Sequence, residues 1–201
     1  MVKERFGTAV RQDQIAEAAL DIVRTEGTQG LNVAAVAKRV GLVPSAVYRH
    51  FSNKSAIVVA VLALIQKRLN ANYQDVIQRD LEPVAKLSLL FHRHVELISN
   101  NIAIPRIIFS EEIVAGAPQR RQQLNGIIQD VIRHVASIVT EGQTQGTIRK
   151  DIPAENIAVS FLGMIQPAAI IWNLSEGEFD LIQHSQHAWT LFLDAMGRGP
   201  G

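Results

Sequence analysis

Apolar residues recur along the chain with the three-to-four-residue spacing of α-helices, and no segment alternates convincingly with period two. One stripe runs over residues 15–23 and ends at Gly27, a residue typical of helix C-termini. A short helix follows, with Asn32 as its N-cap and Gly41 as its end, and Pro44 fits the first turn of a third. A long fourth helix begins near Lys54.

Prolines punctuate the rest of the chain, where Pro83, Pro105, Pro118 and Pro153 each precede a periodic segment. The final two helices are expected near 154–174 and 178–196. The pattern therefore predicts an all-α protein of about nine helices, with an N-terminal three-helix domain over 8–54, a connecting helix from 54 and a larger helical domain over 55–198.

Composition and charge narrow the class of protein. The chain has 201 residues, 47% of them hydrophobic and 19% charged, which is typical of a globular protein. The absence of cysteine excludes disulfides and thiolate zinc sites. Residues 1–54 carry eight basic and five acidic side chains, whereas the remainder is slightly acidic, so a polyanionic partner is expected at the N-terminal end.

Membrane association is not expected, because the longest apolar run, residues 56–65, is far shorter than the roughly 20 residues that span a bilayer. The N-terminal residues lack the apolar core of a secretory signal, which favours a cytoplasmic location.

Residues 33–51 have the spacing of two short helices packed across a glycine turn, the helix-turn-helix arrangement. Such a unit places its second helix in a DNA major groove. Arg49 can donate two hydrogen bonds to guanine. Ser45, Tyr48, His50 and Lys54 can contact phosphates. Val47 and Phe51 are instead expected to face the core.

This segment resembles the N-terminal domain of tetracycline-repressor (TetR) family transcription regulators. The resemblance lies in Gly41, Leu42, four variable residues at 44–47, then Tyr48, His50 and Phe51, with a lysine three residues on, and it covers about residues 10–65. It implies DNA contacts from the following positions: Val33, Pro44, Ser45, Tyr48, Arg49, His50 and Lys54. Val43 departs from the pattern, because the family usually has Ser or Thr there to cap the recognition helix.

The resemblance further implies a repressor that a small-molecule effector releases from a palindromic double-stranded DNA operator. It also implies a homodimer formed through the last two helices. The apolar surfaces of those helices predict interface positions at Phe161, Ile165, Leu181, Ile182, Trp189 and Phe192.

Polar residues aligned with apolar stripes are candidates for effector binding, because converging polar groups in an apolar cavity orient a small ligand. These candidates are His94, Glu111 and His134, with Trp172 beside Pro167. Each is also consistent with an ordinary core position. The effector is expected to be apolar or amphipathic.

Two other functions fit an all-α chain with a basic end. An architectural DNA-binding protein would bind without sequence preference, and its affinity would depend almost wholly on salt. A helical enzyme would need a nucleophile–base pair, a phosphate-binding glycine loop or a metal set, and the sequence contains none of these patterns. We therefore expect no enzymatic activity, no cofactor and no metal.

Overall fold

The computed structural model describes residues 8–197 apart from Ala115 and Ala117, and the expected domain end at residue 198 lies outside this range. The described residues form ten α-helices and no strand. Their bounds are α1 Thr8–Gly30, α2 Val33–Arg39, α3 Pro44–Tyr48, α4 Lys54–Ile77, α5 Pro83–Ser99, α6 Ala103–Ile108, α7 Glu111–Val114, α8 Pro118–Gln145, α9 Ala154–Leu174 and α10 Leu181–Met196. The all-α prediction is confirmed.

The chain divides into two compact units, and the division differs from the expected boundary at residue 54. Unit 1 contains the chain up to Lys67 together with Asn101–Leu124, and unit 2 contains Arg68–Asn100 together with the chain from Asn125 onward. The first half of α4 belongs to unit 1 because its side chains at 57, 58, 61 and 62 are buried there. The α6–α7 segment returns to unit 1 because α6 packs against α1.

The residues predicted to begin or interrupt helices in unit 1 do so in the structure. Gly27 adopts a left-handed φ of 72° that kinks α1, and Gly41 adopts a φ of 68° after α2. Asn32 caps α2, because its side chain accepts a hydrogen bond of 2.9 Å from the backbone N–H of Ala35. Pro44 begins α3, where its missing N–H leaves no helical hydrogen bond unmade.

Unit 2 is built around an aromatic cluster on α5, α9 and α10. The Phe91 ring lies edge-on to Phe161 at 5.5 Å between centroids and 5.3 Å from Trp189, and Phe161 contacts Phe192. All four side chains are buried. Such aromatic pairs add stability beyond the burial of their area.

Helix α9 is long and apolar enough to cross a membrane, judged by length and composition alone. A core helix of a globular protein meets the same criterion. Eight of its side chains are buried in unit 2, where α9 packs against α5 and α10. This packing accounts for the apolar character of the buried face of α9, whereas Val159, Ile170, Ile171 and Leu174 are exposed.

Candidate DNA-reading surface

The recognition segment of unit 1 divides cleanly into buried and exposed positions. Val47 is fully buried and Phe51 is 4% exposed, so both anchor α3 as expected. The side chains of Tyr48, Arg49 and His50 point to solvent, and Tyr48 is 55% exposed. The end of α3 and the turn that follows it thus present one aromatic and two basic side chains together, held by two apolar anchors.

The remaining expected DNA contacts lie in different surroundings. Pro44 and Ser45 are exposed at the start of α3. Val33, however, is 5% exposed and packs in the core of unit 1. The prediction that its side chain contacts DNA is therefore wrong. The valine at the first position of α2 is buried because removing its apolar surface from water is favourable in free energy.

Lys54 is already engaged within unit 1. Its Nζ donates a hydrogen bond of 2.8 Å to the carbonyl oxygen of Thr28, and it forms an ion pair with Glu112 of α7. Burial raises the pKa of the Glu112 carboxyl, but the hydrogen bond and charge of Lys54, together with hydrogen bonds from the backbone and from Ser110, leave the pKa below its ordinary value. The carboxylate is therefore ionised at neutral pH. No local sequence pattern indicates that α7 contacts this lysine.

Arginine and glutamine side chains join residues 101–124 to the rest of unit 1. Arg106 donates to the carbonyl oxygen of Arg24 at 3.1 Å, close to the kink in α1. Arg120 donates to Ser55 Oγ at 2.6 Å, and Gln123 donates to the carbonyl oxygen of Val59 at 3.0 Å. Both acceptors lie in the first two turns of α4. These bonds place α6 beside α1, and they place the start of α8 beside the helix that follows the recognition segment.

The effector candidates do not come together as expected. Glu111 lies in unit 1 on the surface, because α6 ends at Ile108 and α7 starts a new helix, so it does not continue the apolar stripe of residues 104–108. The assignment of Glu111 to an apolar pocket is therefore wrong. His94, His134 and Trp172 all lie in unit 2.

His94 is the most deeply buried of these candidates. It is 8% exposed on α5, and none of the hydrogen bonds among the described residues involves its ring. Desolvation lowers its pKa to about 4, so the imidazole is neutral at physiological pH. An imidazole that makes no hydrogen bond within the described protein can make one to a ligand instead.

His134 and Trp172 are only half-buried. The His134 ring stacks on Tyr73 with centroids 3.8 Å apart, and the Tyr73 hydroxyl is 3.1 Å from Ser137 Oγ. Burial, opposed by the negative charge of Asp130, lowers the pKa of His134. Trp172 packs against the core of unit 2. His134 is thus held by a ring partner within the protein.

The expected dimer positions are mostly core positions. Five of the six are buried within unit 2, in the following order along the chain: Phe161, Ile165, Leu181, Trp189 and Phe192. Within the subunit the core of unit 2 covers these five side chains, which leaves them little surface for a partner. Ile182 alone of the six is exposed, at 48%.

Helices α9 and α10 nevertheless expose a large apolar surface. Of the fourteen large hydrophobic side chains that are exposed among the described residues, seven lie on these two helices: Val159, Ile170, Ile171, Leu174, Ile182, Leu191 and Leu193. Concentrated exposure of this kind marks an interaction surface.

The fold and the exposed basic turn of α3 define a helix-turn-helix DNA-binding protein. Two family descriptions match the chain: "Bacterial regulatory proteins, tetR family" over residues 15–61, and "YsiA-like protein, C-terminal region" over residues 64–195. The chain belongs to the tetR family of bacterial regulatory proteins and is a DNA-binding transcriptional regulator.

Relatives match over most of the chain. The "Fatty acid metabolism regulator protein" of Bacillus subtilis is 22% identical over 185 residues, which cover 91% of this chain and 94% of the relative. The structure of FadR from Bacillus subtilis in complex with stearoyl-CoA has a TM-score of 0.78 at 21% identity, covering 91% of this chain and 98% of that one. FadR from Bacillus halodurans has a TM-score of 0.80 at 17% identity, with 95% and 97% covered. At sequence identities this low, the structural likeness shows a shared fold.

The uncapped start of α3 leads to a stability prediction. Val43 is the N-cap residue, has an extended backbone, is 63% exposed and makes no capping hydrogen bond. Val43→Ser should raise the free energy of unfolding by about 1 kcal/mol, because serine can accept a hydrogen bond from the first turn of α3. Chemical denaturation measures the change. Val43→Ala is the control and should give less than half of that gain; an equal gain would show that loss of the exposed valine, and not capping, is responsible.

Proposed function

We propose that the protein is a repressor that binds a two-fold operator as a homodimer in the cytoplasm and is released by a long-chain acyl-CoA, without enzymatic activity of its own. The observation that carries the DNA-binding part is the exposed run Tyr48, Arg49 and His50 at the end of α3, where buried Val47 and Phe51 anchor the segment. An arginine on a major-groove helix favours base reading over purely electrostatic binding. This favours a sequence-specific regulator over an architectural protein.

The choice of effector rests on the relatives and on unit 2. One structural relative was solved with stearoyl-CoA, an amphipathic ligand of the kind that the sequence led us to expect. Unit 2 is rich in buried apolar and aromatic side chains, which suit an acyl chain. His94 adds a neutral buried ring that a polar group of such a ligand could reach.

The dimer is supported by the apolar surface of α9 and α10. Along α9, Val159, Ile170 and Leu174 lie on one exposed stripe, at intervals that return to the same helix face. A two-fold contact between two copies of this surface would cover these side chains, as an isologous interface requires. Such a dimer would present two α3 helices to the two halves of an operator.

Selection of binding sites from random duplex DNA tests the operator. The protein should recover a two-fold palindrome, and Arg49→Ala should then relax base preference at one position in each half-site, with a loss of about 1–3 kcal/mol there. Fluorescence anisotropy with single-base operator variants measures it. Ser52→Ala, an exposed position beyond α3, is the control. An unpatterned selection whose affinity follows salt alone would instead identify an architectural protein.

Operator release by acyl-CoA tests the effector. Saturating stearoyl-CoA should weaken operator binding by about 5- to 150-fold, the usual range for coupled sites, whereas CoA alone should have little effect. His94→Leu should melt at a higher temperature, because it replaces a mostly buried polar ring with an apolar side chain, and should need more acyl-CoA for release. If stearoyl-CoA changes neither the operator affinity nor the melting temperature of the wild-type protein, this class of effector is rejected.

The size of the particle in solution tests the dimer surface. Leu191 is 72% exposed on α10, and Leu191→Asp should convert the dimer to a monomer, because it would bury an unpaired charge in the interface. Sedimentation equilibrium measures the mass. Val43→Asp, at a site 63% exposed and outside α9 and α10, should remain dimeric. A dimeric Leu191→Asp protein would place the interface elsewhere.

A further inference from the structure

Among the residues expected to contact phosphate, Lys54 alone forms an ion pair with a carboxylate within the described part of unit 1. Lys54 opens α4, directly after the loop that follows the recognition helix. Its partner Glu112 lies on the short helix α7, which is 58 positions away along the sequence. In a DNA-bound protein, a phosphate and this carboxylate would compete for the same ammonium group.

We propose that Glu112 is a built-in competitor for DNA: by neutralising Lys54, its carboxylate lowers the affinity of the protein for the phosphate backbone. The inference rests on the proposed contact between Lys54 and DNA. It concerns a residue that takes no part in reading bases, and it predicts that the natural protein binds DNA less tightly than its recognition surface would allow.

The geometry favours competition over a mere supporting role. Thr28 accepts a hydrogen bond of 2.8 Å from Lys54 Nζ, and this neutral carbonyl keeps the ammonium in place whether or not Glu112 is charged. Glu112 is therefore not needed to hold the lysine. Its main electrostatic effect is to cancel a positive charge at the expected phosphate position.

The effect does not depend on whether the carboxylate leaves when DNA binds. An ammonium has three donors, and the Thr28 carbonyl and Glu112 occupy two of them. If a phosphate takes the third, it lies near a carboxylate and is repelled by it. If the phosphate displaces the carboxylate, an ion pair must first be broken. Both routes weaken binding.

The neighbouring residue offers a matched control. Glu111 has the same charge, lies next to Glu112 on α7 and is exposed, while Glu112 is half-buried against Lys54. Glu111→Gln and Glu112→Gln therefore change net charge and side-chain size identically. They differ in the contact with Lys54 and in the hydrogen bonds of Glu112 to Ser110 and to the backbone, so the contribution of Lys54 is isolated by the variants that lack this lysine.

The experiment measures binding of the full chain to two duplexes of equal length, one carrying the selected operator and one of random sequence, over a range of salt concentrations. Glu112→Gln should bind both duplexes about fivefold more tightly than Glu111→Gln, as expected for an ion pair of this exposure. The slope of log K against log salt should become steeper by about 0.9 for each DNA-reading helix engaged, the value for one added phosphate contact.

A second pair of variants isolates the lysine. In the Lys54→Gln background, Glu112→Gln should have no advantage over Glu111→Gln, because the charge that it would release is gone. Melting temperatures and titrated active fractions correct for any loss of folding.

Three results would overturn the proposal. Equal affinities for the two glutamine variants would show a general charge effect, weaker binding by Glu112→Gln would show that the carboxylate positions Lys54, and a gain that persists without Lys54 would assign the effect to another group. A failure of the proposed function is seen separately, as a wild-type protein that does not prefer the operator over the random duplex.

Discussion

The exposed surface of α3 depends on the burial of Val47. A helix of five residues has too few hydrogen bonds to persist alone in water, and α3 starts without a side-chain cap. Its conformation is therefore imposed by packing: Val47 is fully buried, Phe51 is nearly so, and Gly41 supplies the left-handed backbone that returns the chain to the core. The orientation of Tyr48, Arg49 and His50 follows from these constraints.

Much of the fold was predictable because its signals are local. Asn32, Gly41 and Pro44 determine the ends of helices through their own side chains or backbone, so their roles are readable from the sequence. Burial of Val47 and Phe51 was likewise predictable from position. Val33 was not, because the first position of a helix faces core or solvent according to how that helix packs.

The contacts that sequence reasoning missed join distant parts of the chain. Arg106 bonds to α1, Arg120 and Gln123 bond to α4, and Glu112 pairs with Lys54, across separations of 58 to 83 residues. No local pattern marks such pairs. The burial of Phe161 and Trp189 within the subunit was missed for a related reason: both lie on apolar helices, and periodicity does not indicate which apolar face packs inside the subunit.

The separation of anchoring from exposed residues on α3 has a consequence for evolution. The residues that hold the helix, Val47 and Phe51, contact the core, while those that would meet DNA, including Ser45 and Arg49, contact solvent. Substitutions at exposed positions usually change stability by less than about 0.5 kcal/mol. Descendants of this protein can therefore come to recognise new operator sequences by changing a few surface side chains. Such changes would have almost no effect on the free energy of unfolding, so stability would not slow their divergence.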